Sequence, residues 1–413
     1  MNESSLEKKN KVGIMTLFMN HNYGAVLQAY ALQETVKEFG YEVEDIRYHR
    51  ESNLNKYKRS MKALTMLKKI LNFKELKKYI DYKYRSFKTK KLQIDYYVGQ
   101  RYRYFDLFLK KYISQSSKEY RKEDIFTSVD QYDIFICGSD NIWNKKMIDT
   151  AFMLDFVPDD KLKIAYAPGM SFNSMNEDEY NQMIPSIDRI HYLSCRERIG
   201  ATMLKEVLNK EVFVALDPTL LREKKQWEKI ENKPKLEFDF DADYIFCYIL
   251  GSDKVKRNII RQYAKEKNLV IITLPFLSGS YEPNDHDFGD FQLYNVGPCE
   301  FLYLIHHAKY VFTDSFHGTI FSLVYERKFI SFYRFSHLST SFLDNRLDNL
   351  YDNFNLPSER KIDNNSKCTL DYIKSNIDNP IDYNRIKSKW DKDRTESLSY
   401  LENALKDREK NIS

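Results

Sequence analysis

The sequence predicts an α/β fold of two domains, each built around a doubly wound parallel sheet. Apolar strand-like runs alternate with amphipathic helical patterns in both halves of the chain. The 413 residues are 42% hydrophobic, which is enough for two cores, whereas a single domain of this length would be unusually large. No apolar run approaches the roughly 18 residues that a membrane-spanning helix needs, so we expect a cytoplasmic protein.

The first predicted domain comprises residues 1–225. It opens with a strand–helix–strand unit over residues 12–46, in which Gly40 ends the helix. Four further strands are predicted, with a helix between the last two, at residues 132–137, 163–167, 191–195 and 212–216. A charged, proline-containing stretch follows, and we interpret residues 226–242 as a linker.

The second predicted domain comprises residues 243–365. Its alternation begins with the strand YIFCYIL and includes the helix PCEFLYLIHHA, the strand KYVFT and the helix HGTIFSLVYER. Residues 366–413 form a helical tail. This tail is predicted to pack on one of the domains through a stripe at helical spacing, formed by Trp390, Leu398, Leu401 and Leu405.

A strongly basic helical insertion, at about residues 50–122, interrupts the first domain. It carries 22 Lys and Arg against 6 Asp and Glu, a charge of +16, which leaves −11 on the remainder within a total of +5. The spacing of Leu64, Leu67, Ile70 and Leu71 predicts an amphipathic basic helix. The insertion is interpreted either as a solvated structure or as a surface for an anionic membrane or a phosphate-bearing acceptor. No nucleic acid is expected as a partner, because no recognisable binding motif accompanies the charge.

Polar residues cluster at the ends of four predicted strands, where parallel sheets bind their ligands. Each cluster can bind an anion through side chains, through the accessible backbone at glycine, or through a helix N-terminus. Taken singly, Asn, Ser and Asp are ordinary helix caps, and His317 is also compatible with a core imidazole. Four clusters spread over both halves predict instead a cleft between the domains that receives an anionic ligand. The candidate residues are Asn20, Asn22, Tyr23, Gly24, Gly138, Ser139, Asp140, Arg196, Asp314, Ser315, His317, Gly318 and Thr319.

Six motifs, in order along the chain, resemble those of the polysaccharide pyruvyl transferase family. They are NYGAVLQAYALQ, YDIFICGSDNIWN, YAPGMS, LSCRE, ALDPTLL and TDSFHGTIFSL, the last preceded by GPCEFLYLIHHAKYVF. The resemblance runs from about residue 12 to about residue 350 and is interrupted by the basic insertion. It implies a glycosyltransferase-B-like fold of two Rossmann-like domains. It also implies transfer of the pyruvyl group of phosphoenolpyruvate to two hydroxyls of a sugar, which forms a cyclic ketal.

The resemblance implies roles for several candidate residues. Arg196 corresponds to the family's anion-binding arginine, and His317 corresponds to its proposed acid or base. An imidazole suits that role because it gains and loses a proton near neutral pH. Gly318 and Thr319 would present backbone N–H groups to the departing phosphate, and Asp314 would hold the imidazole tautomer.

One position departs from the family pattern. Better known members carry an arginine two residues before this histidine, where the present chain has Ser315, whose hydroxyl brings no positive charge. Either another cation in the following loop, such as Arg334 or Arg346, supplies the missing charge, or the donor differs from phosphoenolpyruvate.

The expected partners are phosphoenolpyruvate, a sugar or lipid-linked oligosaccharide acceptor, and an anionic membrane that the basic insertion contacts peripherally. We expect no cofactor besides the donor substrate and no metal, because no Cys or His cluster has metal-ligand spacing; His306 and His307 are adjacent but have no third ligand nearby. Two alternatives stay open: a glycosyltransferase of the same fold that uses a nucleotide sugar, and a non-catalytic protein of polysaccharide assembly. The acidic motifs closest to a DxD pattern, FDFDAD and NDHDFGD, fall in predicted loops.

Overall fold

The computed structural model describes residues 10–50, 73–170, 172, 174–275, 283–286, 288–334, 345–362 and 367–407. The amphipathic helix predicted around residues 64–71 lies outside these ranges. Within them, strands and helices alternate in both halves of the chain, which confirms the predicted α/β class with parallel sheets. No helix in the described ranges is long and apolar enough to span a bilayer.

The first sheet contains four parallel strands in the order β2-β1-β3-β4. Helix α1 (Tyr23–Glu38) connects the first two strands and is buried along most of its length. Because helices and loops cover both faces of a parallel sheet, the inner strands β1 and β3 are almost wholly buried, whereas the edge strand β2 reads EVED and buries alternate residues. The strands are β1 (Lys11–Met15), β2 (Glu42–Asp45), β3 (Ile134–Cys137) and β4 (Leu162–Ala165).

The basic insertion contains a hairpin of two helices, α2 (Phe73–Lys91) and α3 (Ile94–Tyr112). Helix α3 is partly a core helix, since Phe105 and Phe108 are buried in the main hydrophobic cluster. The buried guanidinium of Arg101 donates hydrogen bonds to the carbonyl oxygens of Pro275, at 2.6 Å, and Leu293, at 2.7 Å. The insertion is therefore tied to the second half of the chain, although it interrupts the first.

Two short strands, β5 (Ser194–Cys195) and β6 (Phe213–Val214), form a separate parallel pair beside the first sheet. The helices around them are α4 (Glu177–Asp188), α5 (Arg198–Leu208) and α6 (Lys224–Glu228). In the segment 226–242, Trp227 and Ile230 are buried in the main hydrophobic cluster, so this connection packs against the domains at its start.

The second sheet contains six parallel strands in the order β12-β11-β10-β7-β8-β9. They are β7 (Tyr244–Tyr248), β8 (Val270–Thr273), β9 (Phe291–Gln292), β10 (Tyr310–Thr313), β11 (Lys328–Phe332) and β12 (Lys361–Ile362). The helices of this half are α7 (Lys254–Lys267), α8 (Pro283–His286), α9 (Pro298–His306), α10 (Phe316–Val324), α11 (Asn345–Phe354) and α12 (Leu370–Asn376).

The two halves meet through an apolar interface in which α1 packs against α9 and α10. The ring of Tyr23 stacks on that of Phe301 with 4.6 Å between centroids, and its hydroxyl donates a hydrogen bond to the carbonyl of Val296 at 2.7 Å. The indole of Trp227 meets the ring of Phe321 edge-on at 5.0 Å. Burial of these large side chains holds the two sheets in one orientation.

The tail ends in α13 (Tyr383–Lys406), which carries the predicted stripe. Leu401 and Leu405 are buried against the first sheet's cluster. The indole N–H of Trp390 donates to the carbonyl of Leu220 at 2.6 Å, and the hydroxyl of Tyr383 donates to a backbone carbonyl of the second half at 2.8 Å. The packing is confirmed, but the helix contacts both halves rather than one.

Candidate functional site

Each sheet has a point at which the strand order reverses, between β1 and β3 in the first and between β7 and β10 in the second. In doubly wound sheets a crevice opens there, beyond the carboxyl ends of the strands. The candidate residues at 20–24 and 138–140 follow β1 and β3, and those at 314–319 follow β10. The apolar interface turns the two crevices toward each other, so one cleft receives residues from both halves.

Arg196 follows β5 and is buried at this cleft. Its Nη1 donates to Oδ2 of Asp217 at 2.8 Å, and its Nε donates to Oε1 of Glu197 at 3.0 Å. Burial alone would lower the pKa of Arg196, but these two carboxylates raise it above its ordinary value, so the guanidinium is cationic. Its Nη2 has no hydrogen-bond partner among the described residues.

His317 approaches the same carboxylate from the second half. It lies in the first turn of α10, with Nε2 3.5 Å from Oδ2 of Asp217. The ring also faces α1: a Cβ built on Gly24 would lie 2.6 Å from Cε1 of His317 and would overlap Nδ1. Because only glycine leaves this space, Gly24 lets the imidazole fit between the two halves.

Asp217 joins the two halves of the site. Its Oδ1 accepts hydrogen bonds from the backbone N–H of Thr219 at 3.0 Å and from its hydroxyl at 2.7 Å. Burial would raise the pKa of Asp217, but the neighbouring charges of His317 and Arg196 and the bond from Thr219 lower it below its ordinary range. The sequence alone did not single out this residue. The available signal was its place in ALDPTLL, three residues after β6 and directly before Pro218.

A second arginine lies beside Arg196. Arg346, on α11, places Nη1 4.0 Å from Oδ1 of Asp140. The guanidiniums of Arg346 and Arg196 both lie over the ring of Phe316, at 5.6 and 5.0 Å from its centroid. Burial, followed by the positive charge of Arg196, lowers the pKa of Arg346 to about 10, so Arg346 is still cationic at neutral pH.

A cavity of about 420 Å³ opens beside these groups. Arg196, Asp217 and Phe316 line it together with residues of α11, Arg346 among them, and residues of α13. This volume accommodates a small anion together with part of a second substrate.

A family model described as polysaccharide pyruvyl transferase matches residues 22–337, which is more than half of the chain. The matched range contains Gly24, Arg196, Asp217 and His317. The chain belongs to the polysaccharide pyruvyl transferase family. It is therefore a transferase, and the non-catalytic alternative no longer applies. No curated protein matches the sequence.

Solved structures resemble this chain at low sequence identity. A putative UDP-N-acetylglucosamine 2-epimerase from Listeria monocytogenes is 11% identical, with a TM-score of 0.51, and the match covers 97% of this chain and 96% of that chain. The UDP-GlcNAc 2-epimerase of Methanocaldococcus jannaschii, in complex with UDP-GlcNAc and UDP, is 12% identical, with a TM-score of 0.47 and coverage of 90% and 94%. The similarity to the Listeria monocytogenes protein concerns the fold alone, and it confirms the predicted glycosyltransferase-B-like fold.

Asp314 does not hold His317, so this part of the prediction is wrong. Its carboxylate oxygens accept hydrogen bonds from the backbone N–H groups of Leu250 and Gly251, each at 2.7 Å. Asp314 thereby ties the end of β10 to the end of β7. The carboxylate that faces the imidazole is Asp217.

Gly318 and Thr319 do not present free N–H groups to a phosphate, which corrects a second expectation. The hydroxyl of Ser315 caps α10 by accepting from the N–H of Gly318 at 3.3 Å, and the N–H of Thr319 donates to the carbonyl of Ser315 at 3.0 Å. The N–H groups of this turn that lack an acceptor inside the helix are those of Phe316 and His317. These two groups are the ones available to an anion.

Of the candidates after β1, Gly24 reaches the cleft and Tyr23 does not. Tyr23 is held in the interdomain core by its bond to Val296, and burial raises the pKa of its hydroxyl to about 12. Asn22 caps α1 by accepting from the backbone N–H of Ala25 at 3.2 Å, and Asn20 is exposed. Tyr23 is therefore structural.

The candidates after β3 line the first crevice. Gly138 has φ of 132°, a value that favours glycine. Ser139 is buried, and its N–H donates to Oε1 of Gln28 at 3.2 Å. Asp140 reaches the site through its approach to Arg346.

One group of side chains within the described ranges is close enough to share a metal ion: Glu231, His306 and His307. Nδ1 of His306 is 3.0 Å from Oε2 of Glu231, so the histidine pair has a third neighbour that the sequence did not predict. His306 is the last residue of α9, and the chain then enters the amino end of β10, which places the group at the opposite edge of the sheet from the cleft.

Proposed function

We propose that this enzyme transfers the pyruvyl group of phosphoenolpyruvate to a sugar of a surface polysaccharide, or of its lipid-linked precursor, as a cyclic ketal. One observation carries the proposal. Arg196 from the first domain and His317 from the second meet at the carboxylate of Asp217, and Arg346 lies beside Arg196 over the ring of Phe316. The reaction needs cations for its anionic donor and an acid for its proton transfer. Because phosphoenolpyruvate is a cytoplasmic metabolite, we place the reaction in the cytoplasm.

The donor carries a phosphate and a carboxylate, and the cleft offers separate groups for them. Arg346 supplies the positive charge that Ser315 lacks, because its guanidinium lies over the ring of Phe316 at the start of α10. The first-turn N–H groups of α10 add a partial positive charge at the same place. Arg196 donates to two carboxylates through Nε and Nη1. Its Nη2 is left to donate a hydrogen bond to the second anionic group of the donor.

The reaction begins when His317 protonates the methylene carbon of the donor. The neighbouring carbon becomes electrophilic, and a sugar hydroxyl attacks it while its proton returns to the imidazole. The bond from this carbon to the phosphate oxygen then breaks, and phosphate departs with the electron pair. A second hydroxyl attacks the same carbon and closes the ketal, and its proton leaves with the phosphate. Asp217 stabilises the imidazolium between these steps, because unlike charges attract strongly in a buried site.

The acceptor is proposed to enter through a second, more open depression of about 780 Å³. It adjoins the cavity, since Arg198, Asn349 and Asp352 line both. It lies between α5 and α11, and the first of these helices adds Ile199 and Glu206. Carboxylate and amide oxygens accept hydrogen bonds from sugar hydroxyls, while an exposed apolar side chain packs against the carbon face of a sugar ring.

The test is incubation of the purified enzyme with phosphoenolpyruvate and a panel of sugar acceptors, read by mass spectrometry and by a phosphate assay. We expect an added pyruvyl group on one acceptor and equal release of phosphate. His317→Ala should lower this rate roughly 10²- to 10⁴-fold. Lys205→Ala, on the exposed side of α5, is the control and should retain the full rate.

The glycosyltransferase alternative is tested in the same experiment by replacing the donor with nucleotide sugars. The acidic motifs do not favour it: FDFDAD directly precedes the amino end of β7, at the edge away from the cleft. In NDHDFGD, Asp285 is buried and pairs with Arg257 at 2.5 Å. Sugar transfer from a nucleotide sugar, with no pyruvyl group added, would replace our proposal.

A further inference from the structure

The outer helix of the basic insertion exposes an apolar stripe. On α2, Ile80 is 58% exposed, Tyr84 is 48% exposed and Phe87 is 63% exposed. Their spacing of four and three residues places them on one face of the helix. Contiguous large apolar side chains that stay exposed mark a surface that binds something.

Basic side chains border this stripe. Helical spacing places Lys83 and Lys90 along one side of it and Lys77 and Lys88 along the other. Helix α2 as a whole carries eight Lys and Arg against two Asp and Glu. An apolar face with cationic borders is typical of helices that lie in the headgroup region of an anionic bilayer.

We propose that this face of α2 docks the enzyme peripherally on the surface of an anionic lipid bilayer. Ile80, Tyr84 and Phe87 enter the boundary between headgroups and acyl chains, and the flanking lysines meet the negative charges of the lipids. The positive charge of α2 attracts a negatively charged surface, and its row of apolar side chains is stabilised in an apolar environment. An anionic bilayer offers both, so charge complementarity favours this occupant.

Other occupants match only one of these two properties. In a symmetric dimer formed through this face, a second copy of the chain would bring α2 against a surface of the same strong positive charge. The segment 51–72 of this chain is also basic, with six Lys and Arg against one Glu, and is repelled in the same way. A nucleic acid would pair with the lysines but would leave the apolar row in water.

Helix α3 connects the docking face to the cleft. The ring of Tyr102 stacks on His21 with 3.9 Å between centroids, and Phe105 packs against Tyr23 at 4.8 Å. Tyr23 directly precedes Gly24, the residue that contacts His317. A docked α2 therefore holds the cleft near the bilayer, where a lipid-linked acceptor resides. The docking itself does not depend on the identity of the donor.

The test is sedimentation of the full-length enzyme with two kinds of vesicle, one containing phosphatidylserine and one of pure phosphatidylcholine. Binding to the anionic vesicles is expected to be much stronger and to weaken as salt is raised. Phe87→Ser should lower the partition coefficient about tenfold, and Lys83→Gln should lower it roughly fivefold. Phe126→Ser, which changes a residue 61% exposed outside the insertion, is the matched control and should have no effect.

Three results would overturn the proposal. The first is equal binding to both kinds of vesicle, and the second is unchanged binding after Phe87→Ser. The third is a dimer, or a complex with nucleic acid, that forms without vesicles and dissociates after Phe87→Ser, because the stripe would then belong to that partner. All these residues lie outside the cleft, so phosphate release in solution should stay unchanged, and a failed donor proposal would leave this test intact.

Discussion

Replacing Gly24 by alanine tests the contact between α1 and His317, on which the closed site depends. A Cβ at this position would overlap Nδ1 of His317 and would lie 2.6 Å from Cε1, whereas ordinary Cβ contacts are 3.4–4 Å, so the ring must shift by more than 1 Å. Alanine in a helix is favoured over glycine by at most about 1 kcal/mol. Overpacking costs about 1–3 kcal/mol, so we expect a net loss of about 1 kcal/mol in the free energy of unfolding.

The activity should fall further than the stability. Displacement of an acid by about 1 Å can lower the rate about 100-fold, so Gly24→Ala should reduce kcat for phosphate release by roughly that factor. The assays are urea unfolding and release of phosphate from phosphoenolpyruvate.

Gly99→Ala is the matched control for this substitution. Gly99 lies on α3, and a Cβ built there meets no atom within 4 Å. The control should therefore be stabilised by up to about 1 kcal/mol through helix propensity, with unchanged activity. If Gly24→Ala were also stabilised and fully active, the imidazole would not lie against α1 as described.

Three further predictions concern the charges and the core. Asp217→Asn should destabilise the protein by about 3 kcal/mol, because it removes a buried partner of Arg196. The pKa of Asp217 is lowered in the folded state, so its ionised form contributes full stability above the unfolded value of about 3.9. The stability difference between wild type and Asp217→Asn, followed by thermal unfolding, should therefore shrink progressively as the pH falls below that value toward the lower folded-state pKa. Arg346→Ala should raise the KM for phosphoenolpyruvate about tenfold in steady-state kinetics, whereas the exposed Lys205→Ala should not. Trp227→Ala should cost about 3–5 kcal/mol in urea unfolding, because its buried indole packs between Tyr30 and Phe321; an effect below 1 kcal/mol would contradict this packing.

The sequence predicts the alternation of strands and helices because parallel strands covered on both faces leave a plain signal. IFIC in β3 and YIFCY in β7 are apolar throughout, and each is buried along its whole length. The apolar stripe on α13 was predicted from helical spacing, which is also a local sequence pattern. Its partners were not, because helical spacing identifies the buried face but not the surface that covers it; Trp390 and Tyr383 bind opposite halves of the protein.

The sequence also places Arg196 and His317 at the ends of strands, where ligands of such sheets bind. The sequence cannot show which of the carboxylates that follow strands faces the imidazole of His317. Asp314 and Asp217 are equivalent by that criterion, and Asp314 is nearer to His317 along the chain. The choice depends on the packing of one domain against the other, which turns Asp217 toward the imidazole and leaves Asp314 on the backbone of Leu250. Long-range packing of this kind has no local sequence pattern.

Calorimetric titration with phosphoenolpyruvate tests the central claim most directly, namely that cations of both domains bind one small anion. We expect heat of binding for the wild type and at least roughly tenfold weaker binding for both Arg196→Lys, in the first domain, and Arg346→Ala, in the second. Absence of heat in the wild type, or equal affinity in both variants and the wild type, would contradict it.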